Sequence, residues 1–338
     1  MEGHAVTLIF ADGQSRDVVA GAFETVEQAA RRHGVLLLTD CREGACGTCK
    51  ARCLRGEFVL NDYSRVALSD EEAAAGRVLT CQMQARSPCV VEFDYPFAQT
   101  GAKRDEAWTE SVLSIDPVSE SVVRLVTQGI APARRRFLPG QYVNIDIPDT
   151  ATSRAYSFAN EPGSQQSVFY VRLIEGGVMG DYLTRRARPG DRLRLDGPFG
   201  RFFLRDEKRP LLMVAGGTGL APIISVLRDL AQRAERPPRI VAVYGANRRS
   251  DLFGLDVLAQ LRSELGALET IVGVAEGDAE WGGPVDLVGT IAARQDLDYG
   301  AFDVYLCGPV PMIDHTLKLL IARGANHERI FAERFLPT

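Results

Sequence analysis

The chain reads Cys-Arg-Glu-Gly-Ala-Cys-Gly-Thr-Cys from Cys41 to Cys49, and the organisation of the remaining sequence follows from this stretch. Its three cysteines have the spacing C-x4-C-x2-C, and a fourth cysteine follows at Cys81. Gly44 and Gly47 lie between them. Because glycine has no Cβ, the backbone can turn tightly there and point its N–H groups at sulfur atoms. The pattern predicts a loop whose thiolates converge on one inorganic centre.

Thiolates at this spacing are typical of a [2Fe–2S] cluster held by four cysteines. We predict that its ligands are Cys41, Cys46, Cys49 and Cys81. A zinc site would pair two C-x2-C units or add histidines, whereas this loop contains one such unit and no histidine. A disulfide framework requires an oxidising compartment, and the N-terminus lacks the basic and apolar regions of a signal peptide.

Length and composition describe a globular protein with several domains. The length of 338 residues suggests two or three domains. The composition, with 46% hydrophobic and 25% charged residues, is ordinary for a globular protein. No apolar run approaches the ~20 residues of a membrane span, so we expect no membrane partner and a cytoplasmic location. Residues 1–97 carry 14 acidic against 10 basic side chains. Nucleic acid requires a basic face, so we expect none as a partner.

The N-terminal segment, residues 1–97, combines short strands with two helices. We predict strands at 5–10, 15–19, 51–54 and 57–59, a turn at Asp12-Gly13, and helices that begin after Thr25 and Ser69. The segment resembles the plant-type ferredoxin, or β-grasp, fold. Val78 to Gln82 resembles the family's pattern around its last ligand, which favours Cys81 over the alternative Cys89. We assign Cys53 and Cys89 as small buried hydrophobic residues.

Residues 98–107 are polar and lack apolar periodicity, so we predict a linker. From 108 to 207 the sequence changes to short alternating strands separated by Pro-Gly and Asp-Pro turns. The predicted strands are 109–114, 122–127, 141–147, 154–158, 167–173 and 191–196. Six strands with few helices predict a small antiparallel barrel.

Within the barrel lies Arg154-Ala-Tyr-Ser157, which resembles the flavin-binding pattern of the ferredoxin–NADP reductase superfamily. Arg154 can neutralise a pyrophosphate through a bidentate contact. Tyr156 offers an aromatic face to the isoalloxazine, and Ser157 supplies a hydroxyl near the flavin N5. An exposed strand with an incidental Arg and Tyr is the structural alternative. The stretches 138–142 and 197–200 resemble the same superfamily.

The same resemblance implies that the flavin is FAD and adds further binding residues. These are Asn160, Tyr170, Val171, Arg172, Met179 and Gly180. Gly180 departs from the family, since relatives have a serine at this position. Amides at a helix N-terminus can still bind phosphate without that hydroxyl.

Residues 208–338 alternate strands and helices and predict a doubly wound parallel sheet. The apolar run 210–215 predicts a buried strand. It leads into Gly216-Gly217-Thr218-Gly219, and a helix from there to about Gln232 contains Pro222 in its first turn. Further strands are predicted at 239–244, 268–274 and 303–306, with a helix near 255–265. The Gly216–Gly219 turn does not match the G-x-G-x-x-G fingerprint. A glycine backbone without side chains beside a helix N-terminus nevertheless suits the binding of a pyrophosphate. The resemblance identifies it as the nicotinamide-dinucleotide loop.

Three residues are predicted to act at the reacting rings: Ser157, Cys307 and Phe335. Cys307-Gly308-Pro309 resembles the strand end beside the nicotinamide, and we assign Cys307 a positioning role because no histidine flanks it as a base. Phe335 resembles the terminal aromatic that covers the flavin until nicotinamide displaces it; core packing is the alternative. Arg248 and Arg249 could bind the 2′-phosphate of NADPH, so NADPH stays possible as the cofactor, whereas the carboxylate of Asp251 favours NADH.

Taken together, the three segments resemble the reductase components of bacterial aromatic-ring-hydroxylating dioxygenases of the benzoate, toluate and anthranilate type. The resemblance implies that NADH passes hydride to FAD, which passes single electrons to the cluster and then to a terminal oxygenase, with the chain acting as a monomer. One alternative is a reductase for a haem or di-iron monooxygenase. Another is a redox-sensing regulator.

Overall fold

The computed structural model describes residues 3–11, 15–100, 107–130, 137, 139–200, 202–204, 209–233 and 238–335. The chain forms two compact units. The first comprises Met1–Glu106 and Phe199–Arg201, and the second comprises Ala107–Pro198 and Phe202–Thr338. No helix in the described ranges has the length and apolarity needed to cross a membrane.

The first unit is built on a mixed five-stranded sheet with the order β2-β1-β7-β3-β5 and a separate β4-β6 pair. Strands β1 and β7 are parallel, whereas β1–β2, β3–β7 and β3–β5 are antiparallel. Its elements are β1 His4–Ile9, β2 Ser15–Ala20, α1 Val26–Arg32, β3 Lys50–Arg55, β4 Phe58–Leu60, α2 Asp70–Ala74, β5 Arg77–Leu79, β6 Met83–Ala85 and β7 Cys89–Glu92.

Both helices of this unit begin where the sequence predicts. Thr25 and Ser69 each accept a hydrogen bond from the third helical residue, whose side chain bonds back to the cap, so both form capping boxes. Val26, Ala29 and Ala30 of α1 pack into one core with the buried residues of β1 and β7. The sheet thus holds α1 across one face, as the predicted ferredoxin fold requires.

Some details of this unit were not predicted. Strands β6 and β7 are too short to show a clear periodicity in the sequence. Phe97–Gln99 forms a 3₁₀ turn with Thr100 buried behind it, and residues 101–106 of the predicted linker lie outside the described residues. The predicted turn at Asp12-Gly13 also lies outside them.

All six predicted strands of the middle segment are present in one antiparallel sheet with the order β11-β10-β13-β8-β9-β12. They are β8 Trp108–Pro117, β9 Val122–Gly129, β10 Tyr142–Asp146, β11 Ser153–Ser157, β12 Gln166–Arg172 and β13 Arg192–Phe199, with the short helix α3 Val178–Asp181 between the last two. Just beyond β11, Ala159 N–H donates to the Val168 carbonyl at 2.8 Å. This bond joins the two edges of the sheet into a barrel-like fold around an apolar core.

The C-terminal segment forms a parallel five-stranded sheet with the order β16-β15-β14-β17-β18. Its elements are β14 Leu211–Gly216, α4 Leu220–Gln232, β15 Ile240–Ala246, α5 Leu255–Leu265, β16 Leu268–Val274, α6 Val288–Ala293, β17 Asp303–Pro309, α7 Val310–Ala322 and β18 Ile330–Phe335. The strand order reverses between β14 and β17, and ligands of such sheets bind at the carboxyl ends of the strands at this point.

The predicted fold class is therefore confirmed in its three parts. Helices α6 and α7 and strand β18 were not predicted. Every residue of β18 is half-buried at the sheet edge, so it lacks the continuous apolar run that identifies β14. The segment boundaries at 97, 107 and 207 remain predictions.

Candidate functional site

The cysteine loop of the first unit has the backbone that its glycines predict. Gly44 and Gly47 have φ values of +73° and +75°, a conformation that favours glycine. A Cβ on Gly44 would lie 2.8 Å from the Tyr63 Cβ, so this position also lacks room for a side chain. The backbone N–H of Ala45 donates to the Cys41 Sγ at 3.3 Å. The loop thus directs amide dipoles at a ligand sulfur.

The four predicted ligands lie in two pairs. The Cys49 and Cys81 sulfurs are 3.2 Å apart, and the Cys46 thiol forms a hydrogen bond with the Cys41 sulfur. The hydrogen bond from Cys46 lowers the pKa of Cys41 to about 5, and three backbone N–H groups of the loop act in the same direction. The bond from Cys49 likewise lowers the pKa of Cys81, while the pKa values of Cys46 and Cys49 are raised. Thiolate is the form in which cysteine binds metals, and the hydrogen bonds to Cys41 and Cys81 stabilise that form.

This donor set fits a two-iron cluster, with one pair of thiols for each iron. Within the described ranges, no three His, Cys, Asp or Glu side chains converge on a single metal position. Cys89 lies elsewhere, in β7, where its thiol faces the carbonyl oxygens of Glu57 and Ser87. Cys53 is half-buried and packs against the apolar core of the first unit, which also contains Cys89. The geometry accordingly favours Cys81 as the fourth ligand.

The predicted flavin strand is β11, at one edge of the barrel sheet. Arg154 and Tyr156 alternate onto the same face of this strand and are both half-buried. The Arg154 guanidinium donates to the Ser153 carbonyl at 2.9 Å. Burial raises the pKa of Tyr156, so its hydroxyl stays neutral in the physiological range, while the charge of Arg154 acts against this shift. Ser157 is buried at the strand end.

The other predicted flavin residues have structural contacts of their own. The Asn160 Oδ1 accepts from the Val168 N–H at 2.9 Å, which ties the end of β11 to β12. The Tyr170 ring packs against Phe253 with the ring centroids 4.6 Å apart and the ring planes tilted by 39°. Val171 and Met179 lie in the barrel core and Gly180 is buried, whereas Arg172 is exposed. Their assignment to FAD therefore remains a prediction.

The predicted nicotinamide elements meet at the switch point of the parallel sheet. After β14, residues Gly217–Gly219 form a 3₁₀ turn that leads into α4, where Pro222 is buried. A Cβ on Gly219 would lie 2.2 Å from the Cys307 carbonyl oxygen, and one on Gly308 would lie 3.3 Å from the Gly216 N. The turn and the end of β17 are thus in direct backbone contact.

Cys307 is fully buried at the end of β17, and burial raises the pKa of its thiol well above the ordinary value. A neutral thiol is a poor nucleophile, which agrees with the predicted positioning role. Phe335 pairs with Pro309 in the β17–β18 register and is half-buried. Glu333, which the sequence did not single out, pairs with Cys307, and its charge acts on that thiol. Its place two residues before Phe335 in the last strand is the signal that could have identified it.

A buried hydrogen bond joins the two cofactor regions of the second unit. The Ser225 hydroxyl of α4 donates to the Asn160 carbonyl at 2.7 Å. Asn160 follows the Arg-x-Tyr-Ser strand, and α4 starts at the glycine turn. The flavin and nicotinamide elements are thereby held in one compact unit.

Asp251, the predicted ribose partner, already has hydrogen-bond donors. Its Oδ1 accepts from the Ser121 hydroxyl at 2.5 Å, and its Oδ2 accepts from the Arg248 backbone N–H at 3.3 Å. It caps the 3₁₀ turn Arg249–Asp251 after β15. Selection between NADH and NADPH by Asp251 alone therefore remains a prediction.

Three family profiles match the chain. They are a 2Fe-2S iron-sulfur cluster binding domain over residues 9–86, an oxidoreductase FAD-binding domain over 112–204 and an oxidoreductase NAD-binding domain over 213–318. The matches confirm the predicted cofactor set of [2Fe–2S], FAD and nicotinamide dinucleotide. The chain is an oxidoreductase with one domain for each.

Individual relatives match along nearly the whole chain. The 2-halobenzoate 1,2-dioxygenase electron transfer component of Burkholderia cepacia is 40% identical over 342 residues, covering 99% of this chain and 98% of the relative. The toluate 1,2-dioxygenase electron transfer component of Pseudomonas putida is 37% identical, with 98% of both chains covered. Among solved structures, a cytochrome P450 reductase of Amycolatopsis is 27% identical with a TM-score of 0.73, covering 99% of both chains.

Proposed function

Because the chain belongs to the family of iron–sulfur flavoprotein reductases that includes the electron-transfer components of 2-halobenzoate and toluate 1,2-dioxygenases, we propose that it carries electrons from NADH to the terminal oxygenase of a two-component aromatic-ring dioxygenase. When bound, FAD accepts the two electrons of a hydride and the [2Fe–2S] cluster accepts one electron at a time, so the flavin connects a two-electron donor to a one-electron acceptor.

One observation carries this proposal. A single chain combines two thiol pairs, formed by the cysteine loop together with Cys81, with the joined flavin and nicotinamide elements of a second unit. One polypeptide thus contains both a binding site for the hydride donor and a binding site for a carrier of single electrons. A regulator that only senses redox state would not need the nicotinamide elements.

Cys41 and Cys46 would hold one iron, and Cys49 and Cys81 would hold the other. The amides around Cys41 stabilise negative charge on the sulfur, and hydrogen bonds of this kind raise the reduction potential of a cluster. The Gln82 Nε2 lies 3.7 Å from the Cys81 sulfur and adds a further, weaker contact.

In the second unit, Arg154 would neutralise the FAD pyrophosphate, and Tyr156 would pack against the isoalloxazine with its hydroxyl protonated. Ser157 would donate its hydroxyl at the flavin N5. The glycine turn Gly217–Gly219 offers backbone N–H groups to the NADH pyrophosphate. Cys307, held neutral by burial, and Phe335 would shape the position of the nicotinamide ring and exclude water from it.

Coupled turnover tests the proposal. The purified reductase is mixed with the terminal oxygenase of an aromatic-ring dioxygenase, and NADH consumption is measured beside the cis-dihydrodiol formed. We expect about one product per NADH, because each dihydroxylation consumes two electrons. Two results together would contradict the assignment of the partner: NADH oxidation without product formation with every such oxygenase, and coupled product formation with a monooxygenase.

A second candidate has a specific observation in its favour. The cytochrome P450 reductase of Amycolatopsis aligns with this chain over 99% of both chains, with a TM-score of 0.73. The module thus suits a haem monooxygenase as well as a dioxygenase. The higher identity of 40% and 37% to dioxygenase components favours the first candidate.

A further inference from the structure

We propose that the acidic loop after β16, residues 276–280, sets the preference for NADH by occupying the two arginines that would otherwise bind the 2′-phosphate of NADPH. This inference rests on the proposed function and identifies specificity residues within it. In doubly wound sheets, the adenosine ribose lies beyond the strand adjacent to the phosphate-binding strand, where an acidic residue accepts the 2′-hydroxyl or an arginine binds the 2′-phosphate. Here that strand is β15, and Arg248 and Arg249 follow it.

The acidic loop is held beside these arginines by backbone hydrogen bonds. Ala275 N–H donates to the Ala246 carbonyl at 3.0 Å, and Glu276 N–H donates to the Asn247 carbonyl at 2.8 Å. The loops after β15 and β16 therefore run side by side. Within the acidic loop, the Asp278 Oδ1 accepts from the Glu280 N–H at 3.0 Å, which fixes the turn.

Each arginine is paired with a carboxylate of the acidic loop. Arg248 Nε lies 2.9 Å from the Glu276 Oε2. Arg249 Nε lies 3.3 Å from the Asp278 Oδ2, and its Nη2 lies 2.5 Å from the Glu280 Oε2. The guanidinium donors that would form bidentate contacts with a phosphate are thus already directed at carboxylates.

The local charge also opposes a phosphate. Besides the three loop carboxylates, the charges of Asp251 and Glu120 act on Arg248, so five carboxylates act on the two guanidinium groups. The doubly charged 2′-phosphate of NADPH would enter a region with an excess of negative charge, whereas the neutral ribose hydroxyl of NADH would not. All three ion pairs are exposed and contribute little to stability, so their removal should change charge and leave the fold intact.

The test neutralises the acidic loop with the triple variant Glu276→Gln, Asp278→Asn and Glu280→Gln. With ferricyanide as acceptor, we expect kcat/KM for NADPH to rise about tenfold or more while kcat/KM for NADH changes less than about threefold. The gain should shrink as ionic strength increases, because exposed charges are screened. The control is Glu269→Gln, which breaks the exposed pair with Arg239 at the opposite ends of the same strands and should leave both values unchanged.

A second arm assigns the gain to the arginines. Adding Arg248→Ala and Arg249→Ala to the triple variant should abolish the NADPH gain; the same two substitutions in the native background should leave NADPH activity low. The proposal is overturned if the triple variant keeps native NADH activity without gaining NADPH activity, or if the gain survives without the arginines. The single variant Glu276→Gln, expected to give part of the gain, replaces the triple variant if that fails to fold. Failure of the proposed function itself would appear separately, as absence of NADH activity in the unaltered chain.

Discussion

Replacing Cys46 by serine is expected to remove the cluster and stop electron delivery to cytochrome c, while NADH-dependent reduction of ferricyanide, which accepts electrons directly from the flavin, continues. Serine is close in size but its hydroxyl does not ionise to a ligand comparable to a thiolate, so the pair with Cys41 can no longer hold an iron. Arg154, Tyr156 and the glycine turn Gly217–Gly219 lie in the other compact unit, so we expect hydride entry to continue without the cluster. We expect cytochrome c reduction to fall by about two orders of magnitude, or ~3 kcal/mol in activation free energy, with ferricyanide reduction within about twofold of native.

The measurements are iron content, visible absorption and the two activities of the same preparation. Cys53→Ser is the matched control, because Cys53 is a half-buried cysteine of β3 outside the loop. That variant should keep its iron and both activities. If Cys46→Ser lost both activities while it retained its flavin, hydride entry would depend on the cluster, which contradicts this layout.

Gly219→Ala is expected to leave FAD bound but slow its reduction by NADH about a hundredfold. An added Cβ would lie 2.2 Å from the Cys307 carbonyl oxygen and 2.6 Å from its carbonyl carbon. Both are backbone atoms at the end of β17, so the glycine turn must move away from the strand. The displaced amides would no longer align with the dinucleotide pyrophosphate. Overpacking of this kind also destabilises a protein by ~1–3 kcal/mol.

Stopped-flow reduction of the flavin under anaerobic conditions, beside a thermal unfolding curve, checks this prediction. Gly282→Ala is the control, since no atom beyond its own chain neighbours lies within 4 Å of a Cβ added there, and it should behave as the native protein. Native reduction rates in Gly219→Ala, with FAD fully bound, would show that the turn does not hold NADH.

Local signals explain which elements of the fold were predictable. Thr25 and Ser69 carry capping boxes within four residues of sequence, and both helices begin there. β14 is buried at every position, and its continuous apolar run identifies it. By contrast, β18 is half-buried throughout, and β6 has only three residues, so neither has a period that distinguishes it from a loop.

The candidate site shows the same division between local and distant information. The spacing of the cysteines identifies the loop, but the pairing of Cys49 with Cys81 depends on how the chain returns after 32 residues. Asp251 looks like a ribose ligand in sequence because its partner Ser121 is 130 residues away. The acids that pair with Arg248 and Arg249 lie about 30 residues further along the chain, beyond the range of a local pattern.

Anaerobic titration with NADH tests most directly whether a hydride acceptor and a one-electron carrier share this chain. FAD takes two electrons and the cluster one, so complete bleaching of the purified protein should require about 1.5 NADH per chain, alongside about two irons and one flavin. An end point at about one NADH with no iron and no labile sulfide, or no bleaching at all, would contradict the account.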